Sequence, residues 1–357
     1  MSLSTEVSRK VTWQPGGMVE DTTITSYWMN WRVGLCFLWI LIAVVFSGVL
    51  IFKYEGRKGG SDGRKNRGGS REQEEGFSSS EAGGPAVLYE DEVWKTCLKN
   101  VHPAWLLGYR IVSFVVLLSM LILNAKSDGS SIFYFYTQWT FTLVTIYFGL
   151  GSMLSMYGCY QYHNNRISSE TDHNPRSDDA EYGSAGLFSH PANAKQPPAH
   201  EESNRKVANL LCYIFQIIFQ VNAGAATLTD CVYWFVLVPC LAIKGYNLNS
   251  LMIGMHLVNV IVLLIEAALN CLRFPWFRIG YLITWTSIYV IFQWALHACN
   301  QIWWPYPFLK LSSPFAPLWY SSLGLMHIPC YGMFVMVMKF KHHYLSKRFP
   351  LSYQCAR

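Results

Sequence analysis

Charge is scarce in this chain. Of its 357 residues 14% are Asp, Glu, Lys or Arg, whereas 52% are hydrophobic and 16% aromatic, and the mean hydropathy is above zero. That balance excludes a water-soluble globular protein, a coiled coil, collagen and a wholly disordered chain. No C-x-x-C pair and no N-x-[ST] acceptor occur, and most of the ten Cys lie inside apolar runs (Cys36, Cys159, Cys212, Cys231, Cys240, Cys271, Cys299, Cys330). Neither a disulfide framework nor a zinc knuckle is indicated, and no cofactor or metal is expected. The first 32 residues lack a basic stretch leading into a short apolar segment and a cleavage site, so no cleaved signal peptide is expected. The formal charge of +6 suggests an acidic partner, yet Lys and Arg sit almost entirely between apolar runs, where they set topology. Nucleic acid is not an expected partner.

Uncharged apolar runs are what the chain has instead. Residues 33–52 form one, long enough at ~1.5 Å per residue to cross ~30 Å of hydrocarbon. Others cover residues 104–123, 133–154, about 210–242, 251–271, 279–298 and 318–338. The expected fold class is therefore an all-α integral membrane protein, a bundle of about seven transmembrane helices. A polar tail (1–32) precedes it and a basic tail (340–357) follows. Two polar segments, 53–101 rich in Gly, Ser and charge and 161–206 rich in Pro, Ser, Asn and His, read as disordered cytosolic loops.

The fourth run fits one long tilted helix or two short ones. Basic residues arbitrate. With seven spans and the N-terminus outside, 21 Lys and Arg fall on the inside and six outside, with Arg110 inside a span. Splitting the fourth run would move the tail cluster KFKHHYLSKR outside, so seven spans fit the positive-inside rule better.

A charge in hydrocarbon costs about 2.5–3.5 kcal/mol on insertion scales, so each polar group within a span needs a reason. Arg110, Asp230, His256, Glu266, His297 and His327 are such groups. Three spans carry polar stripes at helical spacing: Gln216, Gln220, Thr227 and Asp230 in the fourth, His256, Asn259, Glu266 and Asn270 in the fifth, and Gln293, His297, Asn300 and Gln301 in the sixth. Hydrogen bonds between helices, or a shared polar cavity, would each account for them. Counting residues from the span ends puts Arg110 and Glu266 at similar depth near the inner leaflet, where they form an ion pair unless Arg110 snorkels alone. The same count puts Thr140 and His256 level in the outer half. Asp230 falls deeper, near mid-bilayer. Thr hydroxyls usually bond back to their own helix, as Thr137, Thr142 and Thr145 are expected to do; a His at equal depth singles out Thr140.

Three stretches, Trp139-Thr140-Phe141 running on to Phe148-Gly149, Gly254-Met255-His256 with an apolar run ending in Ile265-Glu266, and the block from His297 to Leu309, resemble the androgen-induced-gene and rolling-stone-like family of multi-pass membrane proteins. The resemblance covers about residues 103–338. It implies a threonine hydrolase of fatty-acid esters of hydroxy fatty acids, with nucleophile and partner at Thr140 and His256. An extra first span, two long polar loops and Trp139 before the Thr depart from the hydrolases and look more like a plant-type branch.

The leading expectation is thus a lipid-ester hydrolase with Thr140 as nucleophile, His256 as base and Asn259 or an indole N–H at the oxyanion. Trp139, Trp294, Trp303 and Trp304 either line the acyl entry or anchor at the interface. The alternatives are a transporter whose His256, Asp230, Glu266 and His297 line a polar passage, and a non-catalytic scaffold. Membrane lipids and a lipid ester are the expected partners, in the endoplasmic reticulum or plasma membrane.

Overall fold

The structure is a computed structural model that describes residues 20–56, 88–172, 206–239 and 250–355. Seven of its helices are long and apolar enough to cross a membrane, and the chain is an integral, multi-pass membrane protein. We number them α1 (Trp31–Glu55), α2 (Pro103–Asp128), α3 (Tyr136–Asp172), α4 (Leu210–Val232), α5 (Ser250–Leu269), α6 (Ile279–Cys299) and α7 (Ala316–Arg348).

Local sequence starts these helices where it should. Asn30 and Asn209 cap α1 and α4 by accepting the backbone N–H of Arg32 and Cys212, and Pro103 opens α2 behind His102, which accepts from Ala104 N. α4 is the central helix, packed on α3, α5, α6 and α7, and most of its residues are buried. Gly224 lets it approach closely: a Cβ there would lie 2.5 Å from Leu282 Cδ2 on α6. α2 and α3 form an antiparallel pair, whereas α1 packs mainly on α6, α7 and the 276–278 turn and presents Phe37, Val45, Val49 and Phe52 outward, as a lipid-facing helix does.

Contacts at the helix ends show the alternation. On the face holding the start of α1, Thr22 donates to His297 O and Glu20 pairs with Lys310 at 2.7 Å, so the 20–28 segment caps the α6–α7 connection. We call this face outer, following the basic residues. The opposite, inner face joins residues 88–101, the α5–α6 connection and the C-terminal tail, where Cys97 N donates to Leu269 O and Lys99 N to Ser352 O.

The expected loops are narrower than the sequence suggests. Residues 88–101 are ordered, with Leu88, Val93, Trp94 and Cys97 buried, and only 57–87 of that loop lie outside the described residues. Trp94 lies flat over Gly158 of α3, where a Cβ would come within 2.2 Å of Trp94 Cγ. α3 continues to Asp172 and α7 to Arg348, so both helices project well beyond the apolar runs; 173–205 lie outside the described residues. α4 ends in a π-helical turn, Tyr233–Leu237, and residues 240–249 are likewise outside the description.

Candidate functional site

Five buried polar groups meet in the inner half. Arg110 and Glu266 are both fully buried and pair at 2.6 Å through Nη2 and Oε1. Arg110 Nε also reaches both Glu266 oxygens, and Nη1 donates to Ser155 Oγ at 2.6 Å and Val93 O at 2.9 Å. Tyr147 OH at 2.9 Å and Asn270 Nδ2 at 3.3 Å complete the carboxylate, and the guanidinium lies over the Phe215 ring. Every nitrogen of the guanidinium is engaged. A fork so saturated holds α2, α3, α5 and the 88–101 segment together and has no vacancy for a substrate anion.

The outer half is built differently. His256 of α5 places Nδ1 2.9 Å from Asp230 Oδ1 of α4, and its ring stacks on Tyr233 with centroids 3.8 Å apart. Asp230 is thus level with His256, not deeper. The apolar run continues past the point where the helix turns into its π segment, so counting from its end misplaced the residue. A carboxylate on Nδ1 fixes the proton there and leaves Nε2 as the acceptor, the arrangement of a general base with its orienting partner.

Thr140 is fully buried; its Oγ1 makes no hydrogen bond within 3.5 Å, and the Tyr136 hydroxyl one helical turn earlier lies close enough to act on it. No hydrogen bond joins Thr140 to His256 in this structure. The register between the parallel helices α3 and α5, given by Gln138 against Met255 and Tyr147 against Glu266, sets Thr140 level with Leu257 and Val258, less than a turn from His256 and from Asn259. Several buried polar atoms on neighbouring turns of these helices have no hydrogen-bond partner, among them Thr142 Oγ1 and Gln138 Oε1 on α3, Asn259 Oδ1 on α5, and Asn222 Oδ1 on α4, whose Nδ2 donates to Leu143 O; others lie elsewhere in the bundle, such as Gln220 Oε1, Trp285 Nε1 and His297 Nε2.

The remaining candidates lie apart. Gln216 and Gln220 both donate to Arg273 O, Thr227 bonds back to Ala223 O, and Gln293 donates to Tyr134 O, so the three stripes do not converge on one cavity. His297 sits under the outer cap, its Nδ1 2.7 Å from Gln293 O and its ring stacked on Trp304. Trp139 packs on Trp285, Tyr289 and Phe292 of α6, and Trp294 donates to Tyr320 OH, so both are embedded between helices.

His327 belongs to a second constellation, unforeseen from sequence. Its Nε2 lies 2.9 Å from Thr286 Oγ1, its Nδ1 2.9 Å from Leu323 O, and Thr286 Oγ1 is 2.8 Å from Tyr136 OH. All three side chains line a cavity of about 420 Å³ with almost wholly apolar walls, bounded by Trp39, Phe46, Val290 and Tyr320. Neither Thr140 nor His256 lines it. Thr286 shares a helix face with Gln293 and His297, and extending that stripe one further position would have found it.

No family model, curated protein or solved structure matches the chain.

Proposed function

We propose that this membrane protein hydrolyses long-chain esters within the outer half of the bundle, with Thr140 as nucleophile, His256 as general base and Asp230 as the group that orients the base. The His256–Asp230 pair, within a helical turn in depth of the buried Thr140, carries this reading. Thr140 Oγ attacks the ester carbonyl while its proton passes to His256 Nε2; the alcohol leaves with that proton, and water, deprotonated by the same nitrogen, releases the acid from the acyl-threonine. Asn259, one turn from His256 on the same helix, carries the amide N–H that would donate to the developing oxyanion. The resemblance to the androgen-induced-gene family supports the same two residues, and an ester whose acyl chain enters from lipid suits a site this far from water.

Thr286 and His327 support a second reading of the same class. They already form a hydroxyl–imidazole hydrogen bond, beside a cavity whose size and apolar walls suit an acyl chain. Transport has less support: a polar passage would have to cross the inner half, where Arg110, Glu266 and Tyr147 satisfy one another under full burial. We place the protein in the endoplasmic reticulum or plasma membrane, with its 88–101 face in the cytosol.

A long-chain alkyl fluorophosphonate on the purified protein, with the adduct located by peptide mass spectrometry, tests the assignment. An adduct on Thr140 that is lost in His256→Ala supports it. An adduct on Thr286 transfers the chemistry to the second constellation, and labelling of neither residue contradicts hydrolysis.

A further inference from the structure

Three thiols meet on the inner face, far from both Thr/His constellations. Cys97 comes from the segment before α2, Cys271 from the end of α5 and Cys355 from the C-terminal tail, and their sulfurs all lie within 4.8 Å of one another. All three residues are buried, and only Leu345 and Tyr353 pack around them as further apolar neighbours. The three backbones are held to each other: Cys97 N donates to Leu269 O, Gln354 N donates to Cys97 O, and antiparallel bridges join Thr96 to Asn270 and Leu98 to Tyr353. Cys355 Sγ approaches Cys271 Sγ to 2.6 Å, and Cys97 Sγ lies 2.6 Å from Asn270 O.

Packing alone does not account for this trio. Buried thiols act as small apolar groups wherever they fall, but here three sulfurs from three remote segments converge where the apolar core is too small to hold a tail in place. A disulfide would use two of them and leave the third. A second observation concerns charge. Lys341 is buried at 8% exposure and its Nζ donates to Asn270 O at 2.8 Å, the carbonyl that Cys97 Sγ also touches. Among the described residues no carboxylate pairs with it. A buried ammonium needs an anion, and among the described residues the candidates beside it are these sulfurs.

We propose that Cys97, Cys271 and Cys355 bind one thiophilic cation, zinc(II) or copper(I), as thiolates, with Lys341 as the counter-charge. Each thiol releases its proton to water as its sulfur bonds the metal, and no redox change is involved. Three thiolates and a divalent ion carry one net negative charge, which the ammonium balances. Copper(I) is satisfied by three sulfurs, whereas zinc(II) takes a fourth ligand from water or a backbone carbonyl. The ion would fasten the C-terminal tail to the end of α5 and to the segment entering α2. This inference does not depend on the hydrolase reading.

The test uses the full chain purified in detergent without chelators, from cells grown with added zinc and, separately, with added copper. Plasma mass spectrometry is expected to find about one ion per chain, falling at least about tenfold in Cys355→Ser and in Cys97→Ser but not in Cys299→Ser. Cys355 lies outside the spans, so its replacement spares the bundle, which monodisperse elution verifies. Cobalt(II) added to stripped protein should give thiolate-to-cobalt charge-transfer absorption that Cys355→Ser lacks. Zinc in the first preparation identifies a zinc site; copper alone identifies a copper site. Metal-free protein from both preparations, whether its thiols are free or Cys271 and Cys355 form a disulfide, overturns the proposal, as does metal retained by Cys355→Ser.

Discussion

His256 Nδ1 lies 2.9 Å from Asp230 Oδ1, joining α5 to the last α-helical turn of α4. One imidazole nitrogen is thereby committed and the other kept for chemistry. Asp230→Asn keeps the shape but allows the wrong tautomer, so ester turnover should fall by about 10²- to 10⁴-fold while the protein still folds. Turnover measured beside thermal unfolding checks this: an undiminished rate would leave Asp230 a structural partner only.

Arg110 and Glu266 make the opposite kind of pair, saturated and fully buried. Removing either partner, as in Arg110→Ala or Glu266→Ala, strands the other charge and should cost about 3–5 kcal/mol. The double variant Arg110→Met with Glu266→Leu removes both charges and should be more stable than either single alanine variant. Unfolding midpoints in detergent decide; a double variant no more stable than the singles would mean that the charges do not act on each other.

The seven spans were legible because about twenty apolar residues in a row have no other use in a chain this poor in charge. Arg110 and Glu266 could be matched because both lie near span ends, where counting residues fixes depth. Asp230 could not, since the apolar run outlasts the α-helix and the end used for counting was the wrong one. Rotation about helix axes was also hidden: Gln216 and Gln220 repeat with Asp230, yet they serve the Arg273 carbonyl rather than His256. The three thiols escaped because they come from segments far apart in sequence, whereas Thr286 lay one position beyond the stripe of Gln293 and His297.

Gly158 gives a packing test on the inner face. Its replacement by Ala would drive a methyl into Trp94, so the 88–101 segment must move, at a cost of about 1–3 kcal/mol. Trp94→Ala should absorb the change, making the double variant no worse than Trp94→Ala alone. Protease susceptibility of residues 88–101 reads this out, and equal susceptibility of Gly158→Ala and the parent would contradict the contact.

The outer cap should respond to acid. Burial pushes the Glu20 carboxyl up, but hydrogen bonds from Lys310 and Ser312 and the ammonium charge of Lys310 outweigh it and hold the group below its ordinary value. A carboxyl depressed in the folded state stabilises fully above its unfolded pKa of about 4.3 and loses that contribution as pH falls through the lower folded value. Cleavage by pepsin within residues 20–30 should therefore rise as pH drops below about 4.3, and Glu20→Gln should be cut readily at the top of that range as well. Identical pH profiles for the two proteins would contradict this.

The central claim is that Thr140 and His256 carry ester hydrolysis. Its most direct measurement is turnover of a fatty-acid ester of a hydroxy fatty acid by the purified protein in detergent, compared across single alanine variants. The account predicts turnover by the parent, a loss of about 10³-fold or more in Thr140→Ala and in His256→Ala, and little change in His297→Ala. Turnover unaltered in both of the first two variants, or no turnover by the parent, would contradict it.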